Sequence, residues 1–323
     1  MRRRMFRGPR APLGLITGVS AACVAAGLLA GCGSGASSGS AGGPATAGAS
    51  SGAPAAAGDA QLAKAVPAAW RGKTLTVAVT VFPPYEILSN GRITGLDPDL
   101  YAALGQILGV RFRIVQTTFD SIIPGLQAGR YQVASPMGDF VERQQVLDLA
   151  DYAKGSSSLL VAATSTYRPT NVMQLCGQPI GIEAGSAETG VTSVLNQRCH
   201  AAGKPAVSIR TFPDVSAATV ATSSGQVRGV LSDSAANGYA AKESGGTYDS
   251  LLISGGSNIP GWGATFAMGT PKGSGLAAAL VAGLKQLKAG GTYNRIFAKW
   301  SLSFAAVPAG AFKVDGSAAH EAS

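Results

Sequence analysis

Two imidazoles and a few thiols limit what chemistry this chain can perform. His200 and His320 are its two histidines. A zinc or iron centre built on imidazole is therefore not expected, and no metal or cofactor is implied. Ser-His-Asp catalysis would have to use His200, which directly follows Cys199 and reads more simply as a structural or exposed side chain. Of the four cysteines, Cys23 lies in an apolar leader and Cys32 at its end, which leaves Cys176 and Cys199. An even pair in an exported chain reads as a disulfide, with two free buried thiols as the alternative. Closing that loop would contribute about 3 kcal/mol on the chain-entropy account. Glu183 and Glu188 could act as acid or base, but no independent catalytic constellation accompanies them. On these residues an enzyme is not expected.

The N-terminus explains why export is expected. Arg2, Arg3, Arg4, Arg7 and Arg10 form a basic head, residues 11–30 carry no charge, and Leu29-Ala30-Gly31 precede Cys32. Together these read as a signal peptide over 1–31, with Cys32 resembling the acylated Cys of the bacterial lipoprotein box. Two acyl chains on that thiol would anchor the chain to the outer face of the membrane. The alternative is a retained membrane helix, since the uncharged run is just long enough to span a bilayer. Arg3-Arg4-Met5-Phe6 hints weakly at twin-arginine export. Residues 32–70 follow as a flexible tether, almost entirely Gly, Ala, Ser, Thr and Pro up to residue 60. The whole chain is formally +9, and removing the five leader arginines leaves +4. There is no Lys/Arg stripe, so nucleic acid is not an expected partner.

The elements that must position these side chains repeat an apolar strand followed by an amphipathic helix. Strands are expected at 75–81, 111–116, 131–135, 159–163, 179–183, 207–212, 227–232, 250–254 and 263–268. Helices are expected from Asp97 as N-cap with Pro98 at the first position, from Asp120 to 126, and over 186–202, 214–223 and 234–242. A helix carrying Leu276, Leu280, Leu284 and Leu287 on one face comes next, and a last one runs over 292–300. This alternation predicts an α/β protein with mainly parallel sheets covered by helices, large enough for two lobes. A ligand would sit beyond the C-terminal strand ends, in the cleft between them.

Seven motifs in order carry a resemblance. They are Phe82-Pro83-Pro84-Tyr85-Glu86, Thr94-Gly95-Leu96-Asp97, the run from Phe119-Asp120 to Gly125-Leu126, Glu142-Arg143, Leu231-Ser232-Asp233-Ser234, Gly291-Thr292-Tyr293 through Lys299-Trp300, and the Cys176/Cys199 pair. From Leu75 to Trp300 the chain resembles the family 3, amino-acid-binding solute receptors of ABC importers, in a two-Cys, lipid-anchored form. The resemblance implies a two-lobed, periplasmic-binding-protein-like (type II) fold with two hinge crossovers. Lobe 1 would comprise 72–163 plus 258–302, lobe 2 164–257, and a C-terminal tail 303–323. It also implies a monomer whose partners are an amino acid, a permease and its ATPase. Two rival expectations are a prephenate-type dehydratase on the same fold and a sensor that is not coupled to transport.

The resemblance further implies a site. Arg143 would fork onto a ligand carboxylate, where the plain reading is a solvated helix arginine. Backbone amides at Gly138 and Ala187 would complete that anion site, with Ser135 and Met137 on the same strand. Asp233 would take the ligand ammonium, where the plain reading is a helix N-cap. Phe82 and Phe119 would flank the ligand side chain, against ordinary core burial. Glu183 would favour a cationic or donor-rich ligand, against a solvated strand-end acid. The chain departs from the family pattern where Gly138 and Ala187 replace hydroxyl residues, and where Val79-Thr80-Val81 lacks an acid before the aromatic.

Overall fold

The structure, a computed structural model, describes residues 60–317. The expected leader, Cys32 and the tether up to residue 59 lie outside the described residues, as does His320. In chain order, helix α1 (Ala60–Ala65) precedes strand β1 (Thr74–Val79), hairpin strands β2 (Ile87–Ser89) and β3 (Arg92–Thr94), helix α2 (Leu96–Leu108), β4 (Arg111–Gln116), α3 (Ile122–Gln127), β5 (Val133–Gly138), α4 (Val141–Gln144) and β6 (Leu147–Lys154). The chain then enters β7 (Ser157–Ala162), β8 (Pro179–Glu183), α5 (Glu188–Ala201), β9 (Ser208–Phe212), α6 (Val215–Ser223), β10 (Gly229–Asp233), α7 (Ser234–Glu243) and β11 (Tyr248–Leu251). It closes with β12 (Thr265–Pro271), α8 (Leu276–Ala289) and α9 (Thr292–Lys299).

Two five-stranded sheets result, ordered β4-β1-β5-β12-β6 and β11-β7-β10-β8-β9. Each is mixed rather than mainly parallel. In the first, β1 pairs parallel with β4 and β5, while β12 runs antiparallel to β5 and β6. In the second, β8 pairs parallel with β9 and β10, while β7 runs antiparallel to β10 and β11. The antiparallel pairings arise where the chain crosses between sheets, because a crossing strand arrives against the direction set by the βαβ units. The first crossing is at Gly155–Ser156 and the second spans 252–264. Strand Ser157–Ala162 therefore belongs to the second sheet, not to lobe 1, which was expected to run over 72–163.

Burial follows the sequence periodicity. Leu100 and Leu104 of α2 and Leu280 and Leu284 of α8 are fully or almost fully buried in one cluster that includes strand residues Val77 and Val79. Ile122 and Leu126 of α3 pack with Met137 and Leu149 in another cluster of the first sheet. Leu195 and Cys199 of α5 pack with Ile180, Ile182 and Leu159 in the second sheet. A disulfide joins Cys176 to Cys199, tying the segment before β8 to the end of α5.

Four further sequence expectations need correction. Asp97 is not a helix cap. The cap is Gly95, at φ 138°, where a Cβ would collide with the Tyr85 carbonyl, and Asp97 is fully buried, accepting from the Tyr152 hydroxyl at 2.8 and 2.9 Å. Nor does Asp120 cap its helix; it accepts from the Thr118 hydroxyl at 2.5 Å. Residues 60–70 are not tether: Val66 is buried, and Arg71 donates to the carbonyls of Val66 and Lys64. Residues 303–317 are not a free tail. Phe312 is buried, and Ala306 and Val314 pair with Ala153 and Ala150 along β6, covering a strand that would otherwise be an open sheet edge.

Candidate functional site

A cleft of about 530 Å³, part of it open to solvent, lies where the C-terminal ends of β5, β8 and β10 converge. Phe82, Phe119, Gly138, Arg143, Glu183, Ala187 and Asp233, all named from the sequence, line it. Ser135 and Met137 do not. Side chains alternate along a strand, so Pro136 and Gly138 face the cleft while their neighbours face away. Ser135 is fully buried and accepts from the Tyr101 hydroxyl at 2.8 Å; Met137 is fully buried against Leu149 and Gly269.

Arg143 stands on α4, just beyond the end of β5. Its guanidinium lies 4.9 Å from the Phe140 ring and 5.3 Å from the Phe119 ring. One terminal nitrogen donates to the Gly138 carbonyl and the other to the Gly185 carbonyl, both at 3.1 Å, so this side chain bridges the two lobes. Burial lowers its pKa to about 10, opposed first by Glu188 and then by Glu142, Asp139 and Glu183. It stays cationic at neutral pH. The glycine at 138 has a local cause: a Cβ there would collide with the Phe140 ring. A hydroxyl side chain at this position would require the Phe140 ring to move.

Asp233 ends β10 and caps α7. One carboxylate oxygen accepts from the amides of Ala235 at 2.9 Å and Ala236 at 3.3 Å, and the other from Ser156 at 3.1 Å. It therefore serves as helix cap and as anchor of the first crossing, with its carboxylate at the cleft wall. Burial raises its pKa to about 6, against three amides that lower it. Glu183 ends β8 at 5% exposure and accepts from the Thr80 hydroxyl of the other lobe at 3.3 Å. Burial, then Glu188, push it up to about 8. Glu188 opens α5 beside Ala187 and lines the same cleft. Burial raises it, while the Ser186 hydroxyl, its own amide and Arg143 oppose the shift. Phe82 stacks on Tyr85 at 5.6 Å and meets Phe266 edge-on at 6.4 Å, giving the cleft an aromatic wall.

Thr80, Ser156, Gly263 and Phe266 line the cleft without having been singled out from the sequence, and Glu188 had been weighed only as a catalytic acid. Thr80 and Phe266 sit at strand ends, where periodicity shows burial but not which lobe a side chain faces. Ser156 and Gly263 lie in the crossings, which carry no repeating pattern. Among the described residues no cluster of His, Cys, Asp and Glu could hold a metal, and no helix is long and apolar enough to cross a membrane.

A pH prediction follows from these buried acids. Asp97 and Asp233 titrate near 6, Glu183 near 8, and Asp151, buried beside Asp139, near 9. All lie above the unfolded carboxylate range of about 4. Between roughly pH 4 and 9 the folded chain thus binds more protons than the unfolded chain, and these groups lower stability as pH rises. The melting temperature of ligand-free protein should be higher at pH 5.5 than at pH 8.5, and Asp151→Asn should flatten the upper part of that slope. A melting temperature that climbs over this range would contradict the assignment.

Comparison with known proteins agrees with this architecture. Residues 75–303 match the family described as bacterial extracellular solute-binding proteins, family 3. An arginine-binding protein of Corynebacterium glutamicum is 28% identical over 237 residues, covering 72% of this chain and 76% of that protein. Among solved structures, an ancestral arginine-binding protein bound to arginine superposes with a TM-score of 0.60 at 28% identity, over 72% of this chain and 99% of the other. An ancestral amino acid-binding protein, a precursor of cyclohexadienyl dehydratase, gives 0.59 at 26% identity over 71% and 96%.

Proposed function

The chain belongs to family 3 of the bacterial extracellular solute-binding proteins, and from that premise we propose that it is the extracytoplasmic receptor of an ABC importer, closing its two lobes on an amino acid with a basic side chain. The observation that carries the reading is the charge inventory of one cleft: a single guanidinium, Arg143, facing three buried carboxylates, Glu183, Glu188 and Asp233. Arg143 takes the ligand carboxylate through the donors it has left. Asp233 takes the α-ammonium. Glu183 takes the distal cation, with Phe82 and Phe119 enclosing the aliphatic part. The arginine ligands of the relatives named above support the same class.

In this reading Cys32 is the lipidated end, residues 33–59 tether the receptor to the membrane, and a permease with its ATPase is the partner. The receptor leaves its ligand unchanged; a dehydratase would convert prephenate-type substrates, and a turnover assay separates the two. Thermal melting across the common amino acids tests the ligand class. A ligand at a hundredfold its Kd stabilises by about 2.7 kcal/mol. Arginine and lysine should raise the melting temperature, and glutamate and aspartate should not. A shift confined to acidic or apolar amino acids would refute the assignment.

A further inference from the structure

We propose that the cleft also accepts small dications that lack a carboxylate, the decarboxylated counterparts of basic amino acids, and that Glu188 is the residue that admits them. This rests on the reading of the cleft as the ligand site. A cation seated beside the cleft acids favours their ionised forms against the burial that raises Glu183 and Glu188, and with all three ionised and Arg143 charged the cleft carries two net negative charges. A basic amino acid brings one net positive charge, whereas a diamine or an aminoalkyl guanidine brings two. A dication balances all three acids in their ionised forms, whereas a basic amino acid leaves one of them protonated or unpaired in a buried site, where an unpaired charge is costly.

The corner meant for a carboxylate is also poorly equipped to hold one. Two donors of the Arg143 fork are already given to the carbonyls of Gly138 and Gly185. Gly138 and Ala187 offer no hydroxyl, and a side chain at 138 would first have to displace the Phe140 ring. Glu188, 9% exposed, sits at the first helical position of α5 in this same corner. It is the acid that acts most strongly on Arg143. A ligand carboxylate must therefore approach a guanidinium that already has an internal counter-ion. An amine in the same corner needs none of the Arg143 donors and shares Glu188 with that guanidinium, while its other end still finds Glu183 and the aromatic wall.

Isothermal titration of the purified protein with L-arginine and with agmatine, its decarboxylated form, tests the proposal. Agmatine should bind within about tenfold of arginine. Glu188→Gln, nearly isosteric, should weaken agmatine about tenfold or more and strengthen arginine, because it removes both the partner of one and the competitor of the other. Melting curves verify that the variant folds, and the wild-type comparison needs no variant. If arginine binds and agmatine binds a thousandfold more weakly, or if the substitution weakens both alike, the proposal is overturned while the amino-acid reading stands. If neither cation binds, both fall.

Discussion

Arg143→Ala should lower the affinity for L-arginine about a hundredfold or more, with little effect on folding. Removing one partner of a buried, hydrogen-bonded charge pair in a complex costs about 2–5 kcal/mol, much of it from the charge left unpaired. Here the orphan would be the ligand carboxylate, in a cleft that holds three acids and no other cation among its lining residues. The fold should tolerate the change because α4 is a single turn, and the side chain's own bonds go to two carbonyls at the cleft. Arg143→Lys should fall between, since an ammonium cannot make the paired contact of a guanidinium. Calorimetric titration, with a melting curve for each variant, checks this. Full affinity in the alanine variant would mean the carboxylate is held elsewhere.

Asp233→Ala should cost both binding and stability. The carboxylate caps α7, and losing such a cap costs about 1 kcal/mol. It also holds the Ser156 amide, so the first crossing loses an anchor as the ligand loses its ammonium partner. Affinity for arginine should fall about a hundredfold. Asp233→Asn separates the roles. Its amide oxygen can still cap α7, but its NH2 would face the Ser156 N–H, and the charge is gone. Melting should recover most of the way toward wild type while binding stays weak. Recovery of binding in the asparagine variant would show that the residue is structural only.

How much of this was legible beforehand depended on the physics behind each residue. The α/β alternation and the helices carrying Leu100 and Leu104, or Leu280 and Leu284, were readable because burial imposes a period on the sequence. Of the cleft residues at strand ends, Asp233 was found through motif order and Glu183 through its place in the family resemblance, and their convergence is a property of the sheets. Strand Leu147–Lys154 was missed, although it is mostly buried and pairs along its whole length with β12. The folded segment 303–317 was missed as well, because Ala, Gly and Ser dominate much of it and its contacts are made by a few residues such as Phe312 and Asp315. Asp97 misled for a clear reason: an acid before proline at a helix start has the form of a cap, and here it serves instead as a buried acceptor for Tyr152. Ser135 and Met137 were assigned to the site by their place in a motif, whereas strand alternation turns them away from it.

The most direct test of the account is a crystal structure of the protein with L-arginine. The account predicts one arginine in the cleft between the two sheets, its carboxylate on the Arg143 guanidinium, its α-ammonium within hydrogen-bond distance of Asp233, and its guanidinium against Glu183. Density for the ligand elsewhere, or in the cleft with its carboxylate turned away from Arg143, would contradict it.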